Sequence, residues 1–266
     1  TTTDTIGIGR EAGQYSAAAY NIWMGSYAGK GSSANAHSPG TSNIGIGYQS
    51  SVSFISGSYN VAVGGNTLYN NQHGEYNVAI GQGAGDHATG SYNTFVGGLA
   101  GTGGTTSAPY SSGQNNTAVG YAALDAFTTG YENVAIGGHA GGTLTTGYTS
   151  TFVGYYAGAS ATTAGNNNYF GYAAGLGTTG GGNVGIGNHT MKNGSGDAAD
   201  NTAVGGSSLY AITTGDKNTT LGQSTGEALM GGFMAVRVFL QHLGSSFLWS
   251  SLVYGGERSG TLVLKL

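Results

Sequence analysis

The sequence predicts an all-β fold, a parallel β-solenoid or β-roll of about thirteen coils with a repeat of about seventeen residues. Three observations lead to this prediction. A five-residue phrase recurs along the chain at nearly constant spacing, one column of that phrase is always glycine, and the composition is rich in glycine but poor in charge. A fixed period of this kind decides the architecture of a repeat protein.

The composition is unlike that of an ordinary globular domain. Glycine accounts for 54 of 266 residues, proline for 2, and charged residues for 7%, against about 25% charged in average soluble proteins. Disordered chains combine high charge with few aromatic residues, whereas 11% of this chain is aromatic. We therefore expect local order that is repeated many times.

Charge and cysteine content exclude several classes of function. The net charge is −4 with seven basic residues, so no basic stripe is present to neutralise phosphates, and nucleic-acid binding is not expected. The absence of cysteine excludes disulfides and thiolate metal sites. The chain begins at Thr1 without a signal peptide, which indicates a mature chain or a fragment.

The repeated phrase reads Asn, any residue, a third residue that is often small, an apolar residue and Gly. Its fifth position is Gly in all thirteen copies and its fourth is always apolar. Successive copies start 16 to 18 residues apart, except for two intervals of 22 and 23. Clear examples are Asn43 to Gly47, Asn60 to Gly64, Asn77 to Gly81, Asn116 to Gly120, and Asn133 to Gly137.

The columns of the repeat predict the structure of one coil. Each coil is expected to contain a short strand, a glycine turn, a second strand around an Ala-Gly or Ala-Leu pair, and a Thr-Thr-Gly turn. Stacked asparagines should form a side-chain amide ladder, and the invariant glycine should mark a corner with positive φ or without room for a side chain. We expect the apolar fourth column and the second column to fill the interior.

Aromatic residues occupy columns that this arrangement leaves facing solvent. They include Phe95 and Phe152 in the third column and Tyr121 and Tyr155 in the sixth. Interface cores are depleted of charge and enriched in aromatic residues. We therefore expect one face to pack on symmetry mates in a homotrimer, although exposed tyrosine on a β-surface is also common.

The repeats resemble those of known fibre proteins. Asn116 to Leu124 with Thr128-Thr129-Gly130, and Asn133 to Gly137, are similar to repeats of phage tail-fibre proteins and related bacterial surface proteins. They also resemble head repeats of trimeric autotransporter adhesins, which form a trimeric parallel β-roll. The resemblance covers residues 5 to 226 and implies an attachment fibre. Adhesin heads have a shorter coil, which favours the fibre-type relatives.

Two coils are enlarged, near residues 30–40 and 102–112. Insertions in solenoids map to loops on one face, which is often the binding face. If these loops bind a ligand, His37, Tyr110 and the loop hydroxyls are the groups expected to contact sugars. The alternative is that they are surface loops without function.

The repeat ends near residue 226, so the sequence predicts a solenoid domain over 1–226 and a capping or trimerisation segment over 227–266. Residues 233–240 and 260–266 are predicted to be strands, and 246–249 could form a third. An open solenoid end needs a cap against edge pairing. A membrane span is not expected, because Arg237, Gln241 and His242 interrupt the apolar run.

The sequence contains no catalytic constellation, and we expect neither enzymatic activity nor a cofactor. His139 and His189 share the seventh column and could hold an ion at a trimer axis, but an exposed or packed histidine is the simpler interpretation, so no metal site is predicted.

The function expected from the sequence is a structural and adhesive fibre, extracellular, on a cell surface or a virion. Its partners would be other copies of itself, as a homotrimer or an end-to-end filament, and a glycan or protein of a host surface. The alternatives are a monomeric ice-binding solenoid with stacked Thr columns and a polysaccharide-cleaving tailspike.

Overall fold

A computed structural model describes residues 4–31, 38–104, 110–194, 196–227, 235–238 and 251–253. Fifteen short strands lie in one sheet in chain order. Strands β1 to β13 are three residues long, and each coincides with positions two to four of one repeat. The strands are β1 Ile6–Ile8, β2 Ile22–Met24, β3 Ile44–Ile46, β4 Val61–Val63, β5 Val78–Ile80, β6 Thr94–Val96, β7 Thr117–Val119, β8 Val134–Ile136, β9 Thr151–Val153, β10 Asn168–Phe170, β11 Val184–Ile186, β12 Thr202–Val204, β13 Thr219–Leu221, β14 Ala235–Val238 and β15 Ser251–Val253.

The first thirteen strands pair in parallel and in register, so that equivalent residues of successive repeats lie above one another. The coils therefore form a parallel β-solenoid, as the sequence predicts. With parallel strands about 4.8 Å apart, its twelve turns extend for about 58 Å.

The asparagine ladder is confirmed. Asn116 is typical: its side-chain oxygen accepts hydrogen bonds from the backbone N–H and the side-chain amide of Asn133, both at 3.1 Å, and its own amide donates to the carbonyl of Gly130 at 2.9 Å. Ser150 replaces asparagine in one coil, and its hydroxyl still accepts from the backbone N–H of Asn167 at 3.1 Å. Each link satisfies buried polar groups that would otherwise be costly.

The glycine column is also confirmed. Gly64 has φ +137°, and a Cβ there would lie 2.7 Å from the backbone carbonyl carbon of Gly81 in the next coil. Gly47, Gly81, Gly120 and Gly137 are constrained in the same way. The coils approach closely at this corner, so no side chain fits.

The prediction that the second and fourth columns fill the interior is wrong. In β2 to β13 the middle residue of the strand, in the third column, is buried. Phe95 and Phe152 are fully buried, whereas the fourth-column residues Ile80 and Ile136 are 42% and 41% exposed. The interior is narrow, and Ala or Gly in most third positions leaves room for the coil to close. Since successive side chains of a strand face opposite ways, the second and fourth columns must both face outward.

The third and ninth columns compensate for each other in size, an exchange of volume in which a large side chain in one column accompanies a small one in the other. A coil with an aromatic third residue has glycine in the ninth column, as in the pair Phe152 and Gly158, where a Cβ would lie 2.4 Å from the ring. Ala118 is paired instead with Leu124, and both are fully buried. Where both columns are small, as at Ala135 and Gly141, large side chains of the adjacent coils fill the space: a Cβ at Gly141 would lie 2.8 Å from Phe152 and 2.9 Å from Leu124.

The predicted second strand is replaced by turns. The seventh and ninth positions adopt left-handed backbone conformations even when they are not glycine, as at His139 (φ 55°) and Leu124 (φ 50°). Hydrogen bonds between coils continue through these turns, for example from the N–H of Leu124 to the carbonyl of Ala140 at 3.0 Å. These bonds hold conformations that side chains otherwise disfavour.

In the tail, β14 pairs with β13 in parallel, and β15 pairs with β14 in antiparallel orientation. The strand predicted over 233–240 is thus present at Ala235–Val238. Ser251–Val253 was not predicted as a strand, and the segments 246–249 and 260–266 lie outside the described residues. The capping role of 227–266 stays a prediction.

Candidate ligand-binding surface

Both insertions leave the solenoid at the same corner. Ser38 and Ser111, which lie near the ends of the two enlarged segments, each form a parallel bridge to the twelfth position of the preceding coil, at Ser16 and Ala88. Residues 32–37 and 105–109 lie outside the described residues. The described flanks show that the enlarged loops start from one column of the fold.

Of the two residues predicted to bind a ligand, Tyr110 lies among the described residues. His37 lies outside the described residues. Tyr110 is half-buried, with its ring centroid 5.9 Å from that of His87 in the preceding coil. The ligand-binding role of both residues stays a prediction.

A shallow cleft adjoins each insertion. The first cleft has a volume of about 300 Å³, and Lys30 and Gly31, at the start of the first enlarged segment, are among its lining residues. The second cleft has a volume of about 310 Å³ and lies beside the end of the second enlarged segment. We call the second one the coil-seven cleft. Its lining residues are Ser112, Gly113, Gln114, Asn115, Thr129 and Tyr131.

Exposed tyrosines form two stacked ladders at the corner that precedes the strands. In the first ladder, the rings of Tyr59, Tyr76 and Tyr92 stack at centroid distances of 4.8 and 5.3 Å. In the second, Tyr131 and Tyr148 stack at 5.5 Å with an angle of 10° between their planes. Desolvation within the first ladder raises the pKa of the Tyr76 hydroxyl above its usual value. Rings stacked in this way present their edges to solvent, so a ring face is open only at the end of a ladder.

A further group of rings follows the strands, in the sixth and seventh columns. His139 stacks on Tyr156 at 5.0 Å, and His189 makes an edge contact with Tyr172 at 5.2 Å. Burial lowers the pKa of His189. The two histidines are thus packed among aromatic rings, and within the described ranges no group of three or more His, Cys, Asp or Glu residues could hold a metal ion.

The threonine columns contribute to stacking of the coils. The hydroxyls of Thr128 and Thr145 donate to the backbone carbonyl oxygens of Thr145 and Thr162 in the next coil, at 3.1 and 3.0 Å. The hydroxyl of Thr178 is buried and donates to the carbonyl of Met191. A flat array of hydroxyls free to contact ice is not formed by these residues.

Comparison of the chain with protein-family models, with curated proteins and with solved structures finds no match. The resemblance to fibre repeats therefore stays a prediction. In the part of the chain that the structure describes, no helix is long and apolar enough to cross a membrane.

Proposed function

We propose that the chain is a structural and adhesive fibre segment that assembles as a homotrimer and attaches to a host or cell surface. The observation that supports this proposal is the outward-facing surface of β1 to β13, formed by the second and fourth columns of the repeat, which we call the outer strip. Every fourth-column residue in it is apolar, and neither column contains a charged residue.

The outer strip is a long and continuous surface whose fourth column is apolar in every coil. Ile46, Ile80, Ile136 and Ile186 are each between 38% and 43% exposed. A strip about 58 Å long and about 10 Å wide covers about 600 Å², which lies at the upper limit for a monomer. Such a surface is typical of a site of association between chains.

A second copy of the same chain is the occupant that the repeat favours. The strip runs parallel to the solenoid axis and has an apolar fourth-column residue in each coil, so copies placed around a common axis match coil by coil. In a closed cyclic assembly, every copy uses the same surface. Three narrow strips around one axis bury one another, and the resulting rod supports a fibre that displays the insertion loops.

Paired variants of one coil test the assembly. In Ile80→Glu, each chain places a carboxylate on the outer strip, and a trimer would bring three of them together near its axis. Like charges and desolvation should then separate the chains. In Gln82→Glu, the same charge lies two residues away on an exposed sixth-column side chain, so this control should remain trimeric.

Light scattering on the full chain measures the result. We expect about three times 26.4 kDa for the wild type and Gln82→Glu, and about one third of that mass for Ile80→Glu with an unchanged β-type circular dichroism spectrum. A wild-type monomer, or an Ile80→Glu protein that stays trimeric, would refute assembly through the outer strip.

A further inference from the structure

We propose that the coil-seven cleft binds a neutral saccharide, with one sugar ring lying against the ring of Tyr131. The inference deepens the proposed attachment function, on which its biological meaning rests. Its physical basis is the place where the second tyrosine ladder ends.

Tyr131 is the terminal ring of its ladder. Tyr148, one coil further along, covers one ring face. The other face is directed toward the preceding coil, where Gln114 occupies the equivalent position, since the N–H of Glu132 bonds to the carbonyl of Gln114 at 3.0 Å. No aromatic ring continues the column there, and Gln114 and Tyr131 both line the cleft.

The remaining groups in the cleft are neutral hydrogen-bonding groups. The side chains of Ser112, Gln114, Asn115 and Thr129 are exposed, and none of them hydrogen-bonds to another described residue. Together they offer two amides, which both donate and accept, and two hydroxyls. Sugar hydroxyls require this combination of donors and acceptors.

The electrostatics favour an uncharged ligand. Among the described residues, no lysine, arginine, aspartate or glutamate lines the cleft, and the exposed carboxylate of Glu132 is adjacent in sequence to Tyr131. An anionic sugar would be repelled and would find no cation to pair with. The volume of about 310 Å³ lies at the lower end of the range for small-ligand sites, roughly 300–1,000 Å³.

The first ladder provides a matched control. Tyr59 is stacked on Tyr76 and is 49% exposed, so its exposure and its contact resemble those of Tyr131. It does not line the coil-seven cleft. Tyr59→Ala therefore removes an equivalent ring without changing the proposed site.

The test measures binding of neutral oligosaccharides of glucose, galactose, mannose and N-acetylglucosamine to the full chain, with sialylated and sulfated sugars as anionic probes. Saturation-transfer NMR detects binding and calorimetry quantifies it. We expect at least one neutral oligosaccharide to bind, with affinity about tenfold weaker in Tyr131→Ala because the stacking surface is lost. Affinity should be unchanged in Tyr59→Ala, and it should be lost in Ser112→Trp, which fills the cleft.

Three results would overturn the inference: binding of none of the neutral sugars, binding of anionic sugars alone, or equal affinity in Tyr131→Ala and the wild type. Light scattering on the same samples separates this inference from the assembly proposal. A trimer that binds no neutral sugar removes the saccharide site only, whereas a monomer that binds through Tyr131 removes the assembly only.

Discussion

The asparagine ladder allows a quantitative prediction at Asn116, which lies in the middle of the solenoid and is 1% exposed. In Asn116→Ala, the backbone N–H of Asn133 loses its acceptor and the carbonyl of Gly130 loses a donor. A buried polar group left without a partner costs about 1–3 kcal/mol. Two such groups predict a loss of about 2–6 kcal/mol in the free energy of unfolding.

Asn116→Ser should lose less. Ser150 shows that a hydroxyl in this column still accepts from the following backbone N–H. The serine variant therefore leaves only the carbonyl of Gly130 without its donor, and we expect a loss of about 1–3 kcal/mol. Gln82→Ala, an exposed change in another coil, should alter the stability by less than about 0.5 kcal/mol.

Urea unfolding followed by circular dichroism checks this order. Protein concentration must be held fixed, since assembly adds to apparent stability, and the slope with urea must match among variants for the midpoints to be compared. The reasoning is refuted if Asn116→Ala lies within about 0.5 kcal/mol of the wild type, or if the serine variant is no more stable than the alanine variant.

Three further predictions concern the glycine corner, the core and a half-buried carboxylate. Gly64→Ala should lower the melting temperature strongly, since its Cβ would lie 2.7 Å from the backbone of the next coil at φ +137°. Gly65→Ala should change the melting temperature little, since a Cβ there would have no atom nearer than 3.8 Å. Equal melting temperatures for the two variants would contradict the close approach of the coils. Phe152→Ala should lower the free energy of unfolding in urea by about 3–5 kcal/mol. Adding Gly158→Leu recreates the Ala-and-Leu type of coil and should recover at least about half of that loss. A double variant as unstable as Phe152→Ala would contradict the exchange of volume between the two columns. Burial raises the pKa of Asp125, so its ionised form opposes folding above the folded-state pKa, and this cost disappears as the pH falls through that value. Asp125→Asn should therefore be more stable than the wild type at pH 7 but not below both pKa values. A difference in unfolding free energy that does not change with pH would contradict this origin.

The period of the repeat was predictable from sequence because the parallel register requires the same residue type above itself in successive coils. Asn77 and Gly81 show why: the asparagine needs another asparagine or a serine for its side-chain bonds, and the glycine needs another glycine for close approach. These two columns have local chemistry that permits few alternatives. They define both the coil length and the position of the strand.

Which face of each strand points into the interior was not predictable from hydrophobicity alone. Alternation defines two faces but not which one is inside, and the more apolar face, with Ile80 and Ile136, is the outer one. A signal was nevertheless present in the sequence. The third and ninth columns exchange size, as in Phe152 with Gly158 and Ala118 with Leu124, and only residues that share one interior need to do so.

The candidate ligand-binding surface was predicted only as a region. The insertion in coil six indicated that region and Tyr110. Tyr131 was missed because its role depends on the end of a stack, which is visible only when Gln114 is placed beside it. The aligned columns do carry this information, since tyrosine occupies the column in two successive coils and glutamine in the coil before them.

The most direct test of the account is small-angle X-ray scattering of the full chain, which gives mass and shape together. Burial of the outer strip between copies predicts a rod of about three times 26.4 kDa, with a solenoid about 58 Å long contributing to its length. The contradictory result is a particle with the mass of one chain, together with identical scattering of the wild type and Ile80→Glu. It would rule out the assembly and with it the proposed fibre.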